Sequence, residues 1–299
     1  MSNKNLAFPI ITRLQGGLGN QLFQYAIGRA LATRLGRPLL MDITTIIPEA
    51  PSRHYDLGAF QINESFVSGL HKFCTRWVGS QRLGQLFQSL FIPAKSYRLI
   101  RDVEAGYDPD IFRPHDGSII LHGYWQSYRY FNEIADQLKN ELGFRFAPDL
   151  DNAKLIAEIE SVASVCVHIR RGDYVSNALF ADNLGVCSID YYQRATTEIV
   201  AQVNNPHFYV FSDDPEWARS NLNFPGPTSI IDHNLGKSDV EDLRLMTHCK
   251  YFIIANSSFS WWGAWLASYP NKLIIAPSRW FNKDKIPIED RIPATWIRL

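Results

Sequence analysis

Four short polar strings carry the groups that could do chemistry, and each follows an apolar run: HIRRGDY (168–174), SDD (212–214), DHN (232–234) and NSS (256–258). In the first, a histidine and two arginines at one strand end supply cationic donors. A guanidinium offers a planar fork of donors that matches phosphate oxygens two at a time. Strand alternation sends His168 and Arg170 to one side and Arg171 to the other; an ion-pair cluster with Asp173 is the competing reading. NSS opens a helix, where N–H groups and the helix dipole attract anions and small serines allow close approach; Asn256 and Ser257 could equally just cap it. In SDD, Asp213 and Asp214 could bind a nucleobase edge, a ribose or a metal. Alternatively one of them caps the helix that starts at Pro215.

A fifth string, GGLGN (16–20), lies between a strand and a helix, with Asp42 ending the next strand. That is the layout of a dinucleotide fingerprint, but Leu22 stands where its third glycine belongs. A turn that lets backbone amides or Asn20 approach a ligand fits these residues as well. The pairs Asp108/Asp110 and Asp149/Asp151 follow no apolar strand and read as turn or capping residues rather than metal ligands. No P-loop, HExxH or GxSxG string occurs.

The elements that must position these groups alternate. Residues 9–15 form a strand, and Leu22, Ala26 and Ala30 beside Phe23, Ile27 and Leu31 form an amphipathic helix face. Gly36 and Pro38 end that helix before a strand at 39–42. Helices are expected at 66–78, 81–91 and 128–142, with a strand at 118–123 and a linker at 146–151. From 161 onward strands at 164–169, 207–212, 228–231, 250–255 and 272–276 alternate with helices starting near 188, 215, 239 (capped by Ser238) and 257. Near-continuous apolar strands between helices imply parallel sheets covered on both faces, so the fold class is α/β. Open sheets of this kind bind ligands beyond the carboxyl ends of their strands, where the polar strings sit.

The chain has 299 residues, enough for two domains, and 30 Lys+Arg balance 30 Asp+Glu. Zero net charge argues against nucleic acid as a partner, since phosphate backbones need a basic excess. The balance hides one local bias: 65–101 holds six Lys/Arg and no acid. That stretch is either a helical insertion with solvated cations or a surface for anionic lipid. Five of the 8 Trp fall in the last 39 residues, three of them on one helix, and read mainly as core. The dispersed Cys74, Cys166, Cys187 and Cys249 read as reduced thiols, and with no signal-peptide pattern the chain is expected in the cytoplasm.

GGLGNQLFQYAIGRALA (16–32), HIRRGDYV (168–175), FSDDPEW (211–217) and NSSFSWWGAWL (256–266), in this order, resemble the α-1,2-fucosyltransferases, particularly the bacterial enzymes. The resemblance implies a GT-B-type fold, two doubly wound Rossmann-like domains facing a cleft. Residues 1–150 would be the acceptor-side domain with its basic insertion, and 151–299 the GDP-fucose domain. It implies transfer of L-fucose from GDP-β-L-fucose to the 2-hydroxyl of a terminal β-galactoside, with inversion, no cofactor and no essential metal. Arg170 would bind the pyrophosphate, supported by His168 and Arg171. The 213–214 acids would read guanine. The Ser257–Ser258 turn would lie on the phosphates and Asn20 near the reacting sugar, with Gly17, Asn256 and Phe259 also in the GDP-fucose site. The general base would be Asp173, or an acid of the N-terminal domain, or none where deprotonation comes late. A lipid-linked acceptor would bring segment 65–101 to the inner face of a membrane. The competing classes are a non-catalytic nucleotide- or glycan-binding protein and a nicotinamide-dependent oxidoreductase resting on GGLGN and Asp42.

Overall fold

The structure is a computed structural model. It describes residues 8–46, 54–69, 71–72, 75, 96–102, 106–172, 185–235, 239–281 and 286–299. The chain divides into two compact units, Met1–Arg145 and Phe146–Leu299. The boundary expected at 150/151 falls instead inside a helix: Asp149 accepts from the Asn152 N–H at 2.8 Å and caps α3 (Leu150–Ser161). The acid read as a turn or capping residue thus caps an element that the linker composition of 146–151 concealed.

In the first unit the elements are β1 (Ile10–Arg13), α1 (Leu18–Leu35), β2 (Leu39–Asp42), β3 (Tyr97–Arg101), β4 (Ser118–His122) and α2 (Ala135–Glu141). The strands make one parallel sheet in the order β2-β1-β4-β3. β3 lies within the stretch expected to be a helical insertion. Its side chains are half-buried as an edge strand, so the last five residues of that basic run belong to the sheet. Residues 70, 73–74 and 76–95, including Cys74 and most of the expected helices at 66–78 and 81–91, lie outside the described residues.

α1 begins as expected and ends at Gly36, which closes it in the left-handed conformation (φ 63°). It is not amphipathic, however. Residues on all its sides are buried between Leu18 and Ala32. Gly28 presses against Thr12 and Leu39 on the sheet side. Elsewhere on the helix, Tyr25 donates to Glu141 at 2.6 Å and Arg29 reaches the same carboxylate at 2.8 Å. The helix expected at 128–142 is also corrected: two 3-10 turns (Tyr128–Tyr130 and Asn132–Ile134) precede α2. The Tyr130 hydroxyl accepts from the Asp108 N–H at 3.0 Å, and its ring packs edge-on to Trp125; this aromatic corner takes the place of the first helical turns.

After α3, the second unit runs β5 (Ala163–Ile169), α4 (Ile189–Gln202), β6 (Pro206–Ser212), α5 (Pro215–Asn221), β7 (Thr228–Ile231), α6 (Asp239–His248), β8 (Tyr251–Ile253), α7 (Ser258–Leu266), β9 (Leu273–Ala276), α8 (Ile288–Arg291) and β10 (Ile297–Arg298). Ser188 caps α4, as its position suggested; Ser238 lies outside the described residues. The six strands are parallel in the order β10-β9-β8-β5-β6-β7. From β5 the chain winds outward through β6 and β7, returns to place β8 on the other side of β5, and winds outward again. The carboxyl ends of β5 and β8 therefore flank the point where the winding reverses.

Val165, Val167 and Ile169 of β5 pack with Tyr191, Tyr192, Ala195 and Ile199 of α4. On the other face lies the tryptophan cluster. Trp261 stacks on Trp265 and meets Trp262 and Trp296, and its indole N–H donates to the Arg291 carbonyl at 2.8 Å. All five C-terminal tryptophans are buried, in agreement with the core reading. Cys166, Cys187 and Cys249 are free thiols.

Candidate active site

In an open parallel sheet the reversal point between two strands splays their following loops apart and leaves room for a ligand. After β5, which ends in His168 and Ile169, the loop is Arg170–Gly172; after β8 it is Ile254–Ser257. Asp213 and Asp214 follow β6, next to β5. Three of the four polar strings thus converge on one edge of the second unit.

The arginine loop is held by the acids beside it. Asp213 accepts from the backbone N–H of Arg171 at 2.8 Å and of Gly172 at 3.0 Å, and pairs with the Arg170 guanidinium at 3.1 Å. A side chain on Gly172 would put its Cβ 2.8 Å from that carboxylate, so glycine is what lets the acid reach the backbone. Asp214 caps α5 through the Trp217 N–H at 3.1 Å and faces Arg171 at 3.5 Å. The Arg171 guanidinium also lies over the Trp217 ring, 3.9 Å from its centroid. The chain has left the strand at Ile169, so the expected alternation stops there. Arg170 and Arg171 both turn toward the 213–214 acids. Arg170 keeps a third of its surface exposed while its charge is fixed in place. Asp173 lies outside the described residues.

His168 is not a cation. It is buried, it lies under the first turn of α7 with its ring 5.7 Å from that of Phe259, and its Nδ1 has no hydrogen-bond partner among the described residues. Burial, and secondarily the neighbouring Arg170 charge, push its pKa down to about 3. Desolvation favours the uncharged imidazole, so the positive charge of this strand end comes from the two arginines. A neutral imidazole is still a donor or an acceptor, and here one ring nitrogen is left over.

Asn256 is a strut. Its amide donates to the carbonyls of Trp280 at 2.8 Å and Gly185 at 3.1 Å, which ties the β8 loop to two neighbouring segments. Ser257 precedes α7 without a capping bond from its hydroxyl. At the far end of α7, Lys272 donates to the carbonyls of Ala264, Trp265 and Ala267 at 2.7–3.0 Å. A cation closing the carboxyl end and an uncapped serine at the amino end leave α7 poised to meet an anion at its start.

DHN serves the fold. Asp232 pairs with Arg219. Asn234 exchanges hydrogen bonds with the buried Asn152 of α3 and donates to Asp242 of α6 at 2.9 Å, and His233 contacts Asn152 at 2.9 Å.

In the first unit, Gly16 adopts φ 76°, with the Asn20 amide nitrogen where its Cβ would stand. Gly17 differs: its φ is −75°, and a Cβ there would meet nothing within 4 Å. The protein itself does not demand glycine at 17. Asp42 is fully buried, paired with Arg13 at 3.2 Å and accepting from Thr44, so it is not the exposed ribose-binding acid of a dinucleotide site. Asp108 and Asp149 both accept from nearby backbone N–H groups, as capping residues do. Gln126, which no motif pointed to, donates to Asn20 at 2.8 Å. The signal was available, since HGYWQS follows the apolar strand SIIL as the other polar strings follow theirs. Among the described residues no three His, Cys, Asp or Glu side chains gather at one point.

Two parallel, helix-covered sheets, one per unit, with an arginine loop at a winding reversal, define a GT-B-type glycosyltransferase architecture. The solved structure of NodZ alpha-1,6-fucosyltransferase soaked with GDP-fucose shares this fold, with a TM-score of 0.52, 15% identity, and 87% of this chain and 93% of that one covered. The chain belongs to glycosyl transferase family 11, which matches residues 4–299. It is similar to an alpha-1,2-colitosyltransferase of Escherichia coli, 34% identical over 97% of this chain and 98% of that protein. It is also similar to a galactoside 2-alpha-L-fucosyltransferase of Caenorhabditis elegans, 24% identical over 98% of this chain and 80% of that protein. The family expected from the four motifs is the one found.

Proposed function

We propose that this chain transfers L-fucose from GDP-β-L-fucose to the 2-hydroxyl of a terminal β-galactoside, with inversion and without a metal. The observation that carries the reading is the arginine loop at the β5/β8 reversal, fixed by Asp213 with Arg170 still accessible. As the glycosidic bond breaks, the sugar gains oxocarbenium character and GDP gains negative charge. Donors already held in place stabilise that charge without reorganising; Arg170, Arg171 and the start of α7 at Ser257 and Ser258 take this part. Neutral His168 and Phe259 form the floor beneath them. Asp213 and Asp214 act first as positioning residues for the two arginines, and guanine is read beside them. Gly17 and Asn20 meet the sugar, and Asp173 takes the acceptor proton. The galactoside acceptor and the 2-hydroxyl find support in the name of the relative from Caenorhabditis elegans. A lipid-linked form of the acceptor would engage the basic stretch 65–101 at an anionic membrane. No helix among the described residues is long and apolar enough to cross one.

A second reading of the donor has its own support. A relative 34% identical is named for colitose, which is L-fucose without its 3-hydroxyl. The two donors share GDP, the reacting carbon and the linkage, so the arginine loop serves either. Competition between GDP-fucose and GDP-colitose for one β-galactoside, with the linkage read by NMR, separates them. Preference for GDP-fucose and an α1→2 product is the expected result. A preference for the deoxy sugar assigns the second donor, and transfer of neither sugar refutes both.

A further inference from the structure

At the carboxyl end of β4 the chain makes a turn whose geometry is costly. Gly123 has φ 151°, and the Asp102 Cβ lies 2.1 Å from where its own would be. Trp125 has φ 55°, a conformation that strains a bulky residue and is kept only where surrounding contacts enforce it. Here Asp102 accepts from the Trp125 N–H at 2.7 Å, and the Tyr130 ring packs edge-on against the indole. Gln24, fully buried in α1, braces the turn from the other side: its amide donates to the Gly123 carbonyl at 3.1 Å and exchanges bonds with Gln15 after β1.

This bracing presents Tyr124. The left-handed residue after it turns inward, Gln126 turns back to Asn20, and Tyr124 stands out with 39% of its surface exposed and no hydrogen-bond partner for its hydroxyl among the described residues. An exposed aromatic on a rigid turn at the carboxyl edge of a parallel sheet is a ready platform for a flat apolar face. The string GYWQS carries no formal charge, and its neighbour Asn20 adds only an amide. That chemistry suits a neutral polyhydroxylated ring, whose C–H face meets the aromatic and whose hydroxyls meet amides, and not an anion.

We propose that Tyr124 is the platform on which the acceptor sugar stacks, with the neighbouring Gln126 amide hydrogen-bonding its hydroxyls. In galactose the axial 4-hydroxyl gathers the hydrogens of carbons 3, 4 and 5 on one face. A ring lying on that face leaves its equatorial 2-hydroxyl at the rim, open to reaction. This assignment rests on the glycosyltransferase reading above and adds the residues that would select the acceptor.

The test is ligand-observed NMR of lactose with the full chain, alongside steady-state kinetics with GDP-fucose, for the wild type, Tyr124→Ala and Tyr124→Phe. The expected result is saturation transfer to the galactose C3–C5 protons in the wild type and Tyr124→Phe, lost in Tyr124→Ala. Acceptor KM should rise about tenfold in Tyr124→Ala, the loss of about one ring contact, with donor KM unchanged. Gln126→Ala should raise acceptor KM as well. Turnover with acceptor KM unmoved by Tyr124→Ala overturns the platform and leaves the transferase reading standing. Sugar contact through Tyr124 without any GDP release overturns the transferase reading and leaves the platform standing.

Discussion

Arg170 is the residue on which the proposed chemistry turns. Its guanidinium is oriented by Asp213 and still reaches solvent, which is what a group waiting for a diphosphate requires. Removing a preorganised donor to developing negative charge costs about 10²–10³ in rate. Arg170→Ala should therefore lower kcat/KM by about that factor, or about 3–4 kcal/mol of transition-state stabilisation, in a GDP-release assay; near-normal turnover would take Arg170 out of the mechanism. Gly17 makes a different test, because nothing in the fold opposes a methyl group there. At a permissive backbone angle, replacing glycine stabilises by about 0.4–1 kcal/mol through the unfolded chain. Gly17→Ala should thus keep or raise Tm while donor or acceptor KM rises. A variant with unchanged kinetics would show that no ligand approaches this backbone.

At the level of elements, α3 and α6 are joined by a buried polar knot in which Asp242 is its one acidic member. Burial, and then the like charges of Asp239 and Glu241, raise its pKa to about 6 against the opposing hydrogen bond from Asn234. A carboxyl whose folded value lies above its unfolded value stabilises the fold while protonated. That contribution is fully present below about pH 4 and is lost as pH rises through about 6. At pH 7–8 the charged form costs about 3 kcal/mol by the same linkage. Asp242→Asn keeps an acceptor for Asn234 and removes the charge. It should stabilise by about 1–3 kcal/mol at pH 7.5 and by almost nothing at pH 4, read from urea midpoints. A gain that is the same at both pH values would contradict the buried-charge explanation.

The elements also show what sequence can and cannot convey. The second unit was readable from β5 to β9 because its central strands are apolar on both faces and each polar string marks a strand's end; the four-residue α8 and the two-residue β10 are too short to leave such a pattern. The basic edge strand β3 was not, since its half-buried YRLIR looks like solvated cations among apolar residues. α1 misled in the opposite direction, because periodicity reports one packed face and is silent about a second cover such as Glu141 and the turns before it. His168 reads as a cation in sequence and is neutral in the fold, because burial follows from its neighbours in space. Asp213 likewise reads as free to bind a base, and three hydrogen-bond and charge partners in the loop were visible only in three dimensions.

For the molecule as a whole, zero net charge is an average over an arginine loop, acids that position it and a basic stretch elsewhere in the chain. In the proposed reaction the charge that does the work is therefore local, and the arginines take the part that a divalent cation takes in other nucleotide-sugar enzymes. The most direct measurement is GDP release from GDP-fucose with EDTA present, across a panel of β-galactoside acceptors. Acceptor-dependent release, undiminished by EDTA and accompanied by an α1→2-linked fucoside, is the expected result. Release abolished by EDTA, or GDP binding without release for any acceptor, would contradict it.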